Sequence, residues 1–179
     1  MKGIELFQIV KRTEPGLLST MQIHYSQPKG FVGRNICYQI GQYGYIVSGS
    51  ATLHLIGRTE FLRKKVNLNC IINNIFYHIE PKPKYPWRNF TTSILLAWEH
   101  QARQDWYKKY GDVVIAFESL VELPRTGECY RRAGWTLVGQ TKGYTCKRIA
   151  GKGTDSWSGK RVWNTKILKP KLVFMKVVK

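Results

Sequence analysis

Leu95, Trp98, Ala102 and Trp106 recur at intervals of three and four residues and so fall on one face of a helix. Asn89, Phe90 and Thr91 precede this segment and Gly111 closes it. On one side lies an apolar, β-rich run, residues 70–79, suited to a central strand, and on the other a second strand, residues 112–119. A strand, a long amphipathic helix and a further strand define an α/β arrangement. The remaining segments extend it. Residues 3–10 read as a first strand and residues 15–23 as a helix with Leu17, Leu18 and Met21 on one face. Pro28 and Gly30 mark a turn after His24, Tyr25 and Ser26. Residues 35–40 and 45–52 form two strand-like runs, with Gly41, Gln42, Tyr43 and Gly44 as a hairpin connection. A basic stretch, residues 58–65, interrupts the order, and Pro81, Pro83 and Pro86 punctuate a loop. After Pro124 comes a short helix, residues 127–132, then a strand, residues 135–140. The expectation is one α/β domain built on a mixed sheet, and 179 residues suffice to bury a core of that kind.

Charge supplies the second constraint. Lys and Arg number 29 against 11 Asp and Glu, a formal charge of +18. Such an excess repels itself unless a polyanion is at hand, and phosphates that release counterions on binding are the obvious candidate. The excess is concentrated at the end: beyond Gln140 there are eleven Lys or Arg and one acid, Asp155. Gly143, Gly151, Gly153 and Gly159 loosen that stretch, while Tyr144, Trp157 and Trp163 interleave aromatic rings with the cations. Cations neutralise phosphates and aromatic faces stack on bases. We therefore divide the chain into a domain, residues 1–140, and a basic extension, residues 141–179, in which Lys142, Tyr144, Lys147, Arg148, Lys152, Trp157, Lys160, Arg161 and Trp163 are the expected contacts to duplex DNA. The same pattern also suits a basic extension whose tryptophans pack on the domain.

Other classes fit poorly. A hydrophobic content of 43% and an aromatic content of 13% exclude a disordered chain. No apolar run is long enough to span a bilayer, and the first residues lack the apolar core of a signal peptide, so an intracellular protein is expected. Cys37, Cys70, Cys129 and Cys146 form no CxxC pair; reduced thiols, not a zinc knuckle, are expected.

Gly127, Tyr130, Gly134, Trp135 and Gly139 resemble the last helix and strand of the acetyltransferase (GNAT) superfamily, where a tyrosine on a short helix precedes a Gly-aromatic step into a strand. With His24, Tyr25, Ser26, Pro28 and Gly30, the run Asn73, Asn74, Ile75, Phe76, and the run Phe117, Glu118, Ser119, the chain is similar over residues 20–145 to the Mom family of phage DNA adenine-modification proteins. The resemblance implies a GNAT-like mixed sheet flanked by helices. It also implies a transferase that adds a small amide-bearing (methylcarbamoyl or carbamoylmethyl) group to N6 of adenine, shielding phage DNA from restriction in the cytoplasm of a bacterial host.

Particular residues follow. The resemblance makes Tyr130 the acid that protonates the leaving group. His24 offers an imidazole that works as base or ligand near neutral pH, with Tyr25 beside it. Glu118, read as the end of its strand, is a candidate acceptor of the adenine proton or a partner for His24 or an arginine. The resemblance also implies iron held by His24, Tyr25 and either Tyr38 or Tyr130. One departure stands out. The stretch Tyr85-Pro-Trp-Arg-Asn-Phe-Thr-Thr-Ser93 contains none of the glycines with which acetyltransferases cradle the CoA pyrophosphate. Helix amides there, with Thr91, Thr92 and Ser93 as supporting donors, remain as an anion site for an acyl-CoA or another donor. A non-catalytic DNA-binding module on a decayed transferase fold is the rival reading. An N-acetyltransferase for a basic protein or small amine fits less well, because few acids are present to line its acceptor pocket.

Overall fold

The computed structural model describes residues 6–81, 87–143, 145–149, 160–164 and 169–178, with backbone only for 145–149 and 160–164. Nine strands, four α-helices and one 3-10 turn occur among them. They are β1 (Phe7–Val10), α1 (Pro15–Ile23), β2 (Asn35–Ile40), β3 (Gly44–Ser50), α2 (Arg58–Leu62), β4 (Ile71–Ile79), α3 (Phe90–Tyr110), β5 (Ala116–Glu122), α4 (Glu128–Arg132), β6 (Thr136–Gln140), β7 (Thr145–Ile149), β8 (Lys160–Asn164) and β9 (Lys171–Val177). A mixed sheet runs in the order β1-β2-β3-β4-β5-β9-β6. The first four strands form an antiparallel meander, β4 and β5 are parallel across the α3 crossover, and β9 is antiparallel to both β5 and β6.

The helical stripe covers one face of this sheet. Leu95, Trp98, Ala102 and Trp106 of α3 are all buried, against Tyr38, Ile46, Ile72, Phe117 and Phe174. Each indole is also tethered through its N–H: Trp98 Nε1 donates to Ser48 Oγ at 3.1 Å and Trp106 Nε1 to the Asn69 carbonyl at 3.0 Å. Gly111 ends α3 at φ +76°, a left-handed conformation, and its N–H caps the Tyr107 carbonyl. On the opposite face α1 buries Leu17 and Met21 against Cys37, Val47 and Phe76. Leu18, expected on the same stripe, is 42% exposed, because one residue of helix turns a side chain by about 100°.

Three expectations need correction. The basic stretch that was expected only to interrupt the order contains a helix, α2, and its Arg58 is buried. The strand expected at 112–119 begins four residues later and runs on to Glu122. Residues 171–177, assigned by charge to an extension, form β9 and lie inside the sheet between β5 and β6. Val173, Phe174 and Met175 are completely buried there, and this apolar run outweighs the flanking lysines. Strands β7 and β8 pair with each other, from Thr145 opposite Asn164 to Ile149 opposite Lys160.

A β-bulge shapes the centre of the sheet. Val47 faces Phe76 and Ser48 faces Asn74, so Ile75 is the extra residue of β4. Gly49 makes room for it: a Cβ on Gly49 would stand 2.5 Å from Ile75 Cδ1. Replacing Gly49 by Ala is therefore expected to cost about 1–3 kcal/mol in urea denaturation. Ile75→Ala in the same chain should recover most of that loss, whereas purely additive costs would show that the two residues do not press on each other.

Candidate active site

Strands β4 and β5 stay in register only from Ile71 opposite Ala116 to Asn74 opposite Ser119. Past the bulge they diverge and leave a cavity of about 730 Å³. Its walls come from β4 beyond Asn74, β5 from Ser119, the end of α1, and the turn into α4.

Tyr130 of α4 stands at the apex of this wedge. Its ring stacks on Phe174 (centroids 5.5 Å apart, planes at 16°) and meets Trp135 edge-on. Gly127, at φ +70°, begins the helix; a Cβ there would sit 2.4 Å from the Phe174 ring. The Tyr130 hydroxyl donates to Asn74 Oδ1 at 2.8 Å. Ser119 Oγ lies 3.0 Å from that hydroxyl and 3.1 Å from the Asn74 carbonyl, donating to either. Complete burial pushes the phenol's pKa well above its ordinary value. Tyr130 is therefore a neutral, proton-carrying group held by two polar neighbours. Asn74 and Ser119 were legible only as members of a family pattern; nothing in their spacing marks them as the tyrosine's partners.

His24 and Tyr25 line the same cavity. His24 caps the end of α1, its ring packed on Tyr25 (4.1 Å) and Phe76 (4.5 Å). The Ser26 backbone N–H donates to His24 Nδ1 at 3.3 Å, and Ser26 Oγ lies 2.9 Å from the same nitrogen. Accepting there, the neutral ring carries its proton on Nε2. Burial, then the neighbouring His78, pushes the His24 pKa down to about 4, against an opposing hydrogen bond with the Tyr77 backbone. Tyr25 carries the Arg125 guanidinium 3.6 Å above its ring, and burial raises its pKa.

The other candidates lie elsewhere. Glu118 is fully buried and does not line the cavity; neighbours on a strand point to opposite faces, and Ser119 takes the Tyr130 side. Glu118 instead binds Arg58 through Nη2 (2.7 Å) and Nε (3.1 Å) and accepts the Thr52 N–H at 2.6 Å. It is an internal strut that ties α2 to the sheet, not a base. Tyr38 is buried in the core beneath α3, where its hydroxyl donates to Asp105 Oδ2 at 3.1 Å and its pKa is raised. Tyr38, bound to Asp105 on α3, stands apart from the cavity, whereas His24, Tyr25 and Tyr130 all line it. Among the described residues no cluster of three His, Cys, Asp or Glu has the geometry to hold a metal ion. Thr91, Thr92 and Ser93 occupy the first turn of α3 and are not among the cavity's lining residues; residues 82–86 before them lie outside the described set. Of the expected DNA contacts, Lys142 is exposed. Lys147 and Arg148 belong to β7, and Lys160, Arg161 and Trp163 to β8, described as backbone alone. Tyr144, Lys152 and Trp157 lie outside the described residues.

A mixed sheet opened between two parallel strands, with a crossover helix between them, is a GNAT-like α/β fold. An acetyltransferase of Bacillus subtilis in complex with CoA matches it at a TM-score of 0.55 with 10% identity, over 97% of this chain and 98% of that one. Two weaker matches are the microcin C7 self-immunity acetyltransferase MccE in complex with acetyl-CoA and AMP (TM-score 0.39, 10% identity, 80% of this chain and 60% of that one) and the C-terminal condensation domain of Ebony in complex with beta-alanyl-dopamine (0.41, 11%, 80% and 72%). No protein-family model and no curated protein matches the chain. Among the described residues no helix is long and apolar enough to cross a membrane.

Two outcomes are expected. Glu118→Ala strands the buried Arg58 charge and should cost about 3–5 kcal/mol in urea denaturation. A cost below about 1 kcal/mol would remove the strut. The second concerns pH. An unfolded histidine binds its proton near pH 6.5, whereas folded His24 resists until about 4, so the unfolded state gains protons first. The His24 contribution is complete above pH 6.5 and lost as pH falls towards 4. Denaturation midpoints at pH 7.5 and 4.5 should therefore differ more in wild type than in His24→Gln; equal differences would place the effect on another group.

Proposed function

We propose that this chain is a DNA adenine-modifying transferase of the acyl-transfer type. The observation that carries the reading is Tyr130: a buried, protonated phenol, oriented by Asn74 and Ser119, at the apex of a cavity large enough for a small donor. In the reaction the adenine N6 attacks the carbonyl carbon of an activated donor. The N6–C bond forms as the bond to the leaving group breaks, N6 sheds a proton to solvent or a nearby base, and Tyr130 supplies the proton that the leaving group takes up. Tyr130 is then reprotonated from solvent. His24 is held neutral with Nδ1 engaged by Ser26, which favours a role in shaping the wall beside Tyr25 over a role as that base.

An acyl-CoA fits the cavity in part. Asn74, Ser119 and Tyr130 would face the acyl end, where the thioester supplies the activated carbonyl, and Arg125 and Lys171 offer cations for the anionic end. The glycine-free stretch 85–93 leaves the donor's identity open. Duplex DNA as acceptor rests on the formal charge of +18, the basic, aromatic stretch beyond Gln140, and the similarity to the Mom family. N6 lies within the duplex, so the base must be extruded to reach Tyr130. The proposed setting is phage DNA in the host cytoplasm, with protection from restriction as the outcome. The missing glycines also suit a DNA-binding module that has lost catalysis.

Nucleoside mass spectrometry of plasmid DNA from cells expressing the chain separates these readings. The transferase is expected to yield a heavier deoxyadenosine, reduced 10²–10⁴-fold in Tyr130→Phe. Equal product from both proteins would remove Tyr130 as the acid, and an unmodified plasmid that nevertheless binds the protein would favour the DNA-binding module.

A further inference from the structure

Asn74 carries more polar capacity than its place in the fold uses. It is 4% exposed and is the last residue of β4 in register with β5. Its main-chain carbonyl faces Ser119 Oγ, and its side-chain Oδ1 accepts the Tyr130 hydroxyl. Its side-chain Nδ2 is buried and has no hydrogen-bond partner, although the residue lines the cavity. A buried amide donor is ordinarily satisfied. Holding Tyr130 requires only an acceptor, so the two N–H bonds of this carboxamide are surplus to that task.

We propose that Asn74 Nδ2 is the hydrogen-bond donor to the carbonyl oxygen of the group being transferred. This deepens the transferase reading and rests on it. The argument is one of matching pairs. In an acyl donor the carbonyl oxygen and the leaving atom are bonded to the same carbon. In Asn74, Nδ2 and Oδ1 are likewise bonded to one carbon, and Tyr130 is already docked on Oδ1. When the leaving atom replaces Asn74 Oδ1 as acceptor of the Tyr130 O–H, the carboxamide is released to turn. Its partnerless Nδ2 then reaches the carbonyl oxygen bonded to the same carbon as the leaving atom. Negative charge that develops on that oxygen during attack then meets that donor. The site thus selects for a ligand with an acceptor beside the bond to be broken: an ester, thioester or amide carbonyl.

The test uses the full chain and two small probes, N-methylacetamide for the carbonyl and 2′-deoxyadenosine for the base. Nitrogen-edited NMR follows the Asn74 side-chain NH2 signals, assigned in wild type by through-bond correlation to the Asn74 backbone; Asn74→Asp keeps an acceptor for Tyr130 and removes the donor. Titration with N-methylacetamide is expected to shift those signals saturably. Binding read on neighbouring backbone amides should weaken roughly fivefold in Asn74→Asp, the scale of one hydrogen bond. Unshifted Asn74 signals, or signals that respond only to 2′-deoxyadenosine, would overturn the assignment, and the wild-type titration decides even where the variant does not fold. The two readings fail separately. Modified deoxyadenosine with unshifted Asn74 signals sinks this inference alone, whereas a saturable shift without a DNA product sinks the DNA reading alone.

Discussion

Two parallel strands share hydrogen bonds only while their backbones stay about 4.8 Å apart. β4 and β5 keep that spacing for four residues and then part at Asn74 and Ser119. The bulge at Ile75 accompanies the separation by bending β4, and Gly49 on the neighbouring strand tolerates the bulged side chain. The cavity, the position of Tyr130 and the partners of its hydroxyl all depend on that parting. Without it the sheet would close over the space, and the phenol would be one more aromatic in the core beneath α3.

The separation leaves polar atoms inside an apolar shell, where each must find a partner or a purpose. The two faces of β5 show both outcomes on adjacent residues. Glu118 turns to the α2 side and is answered by Arg58 and the Thr52 backbone. Ser119 turns to the α4 side and joins Tyr130 and Asn74 in a small network at the edge of the cavity. A carboxylate saturated by an arginine serves the fold; a buried phenol and carboxamide at the cavity's edge, with one amide nitrogen left unpartnered, keep polar capacity for a ligand.

This difference explains how much could be read from the chain. The α/β alternation, the α3 stripe and the Tyr130 helix were legible because periodicity and glycine placement are local signals. For Glu118 the sequence left a catalytic and an arginine-pairing reading open, because a one-residue change of strand phase moves a side chain from one face of the sheet to the other. The pairing with Arg58 is the one found. Leu18 was misassigned for the corresponding reason on a helix. Arg58 and Tyr38 find their partners 60 and 67 residues away, and no local pattern announces such pairings. The charge of residues 171–179 concealed a strand, because Leu172–Met175 is a short apolar run between lysines, and only its neighbours in the sheet decide that it is buried.

That strand has a consequence for assembly. β9 separates β5 from β6, so these two cannot reach their final places until a segment some thirty residues downstream of β6 arrives between them. Phe174, the platform on which Tyr130 lies, is part of the same strand. The core beneath α3 is built largely from earlier parts of the chain, but the apex of the wedge is finished by a late, long-range insertion of the kind that slows folding. During synthesis the domain gains most of its sheet first and its candidate catalytic tyrosine's support last.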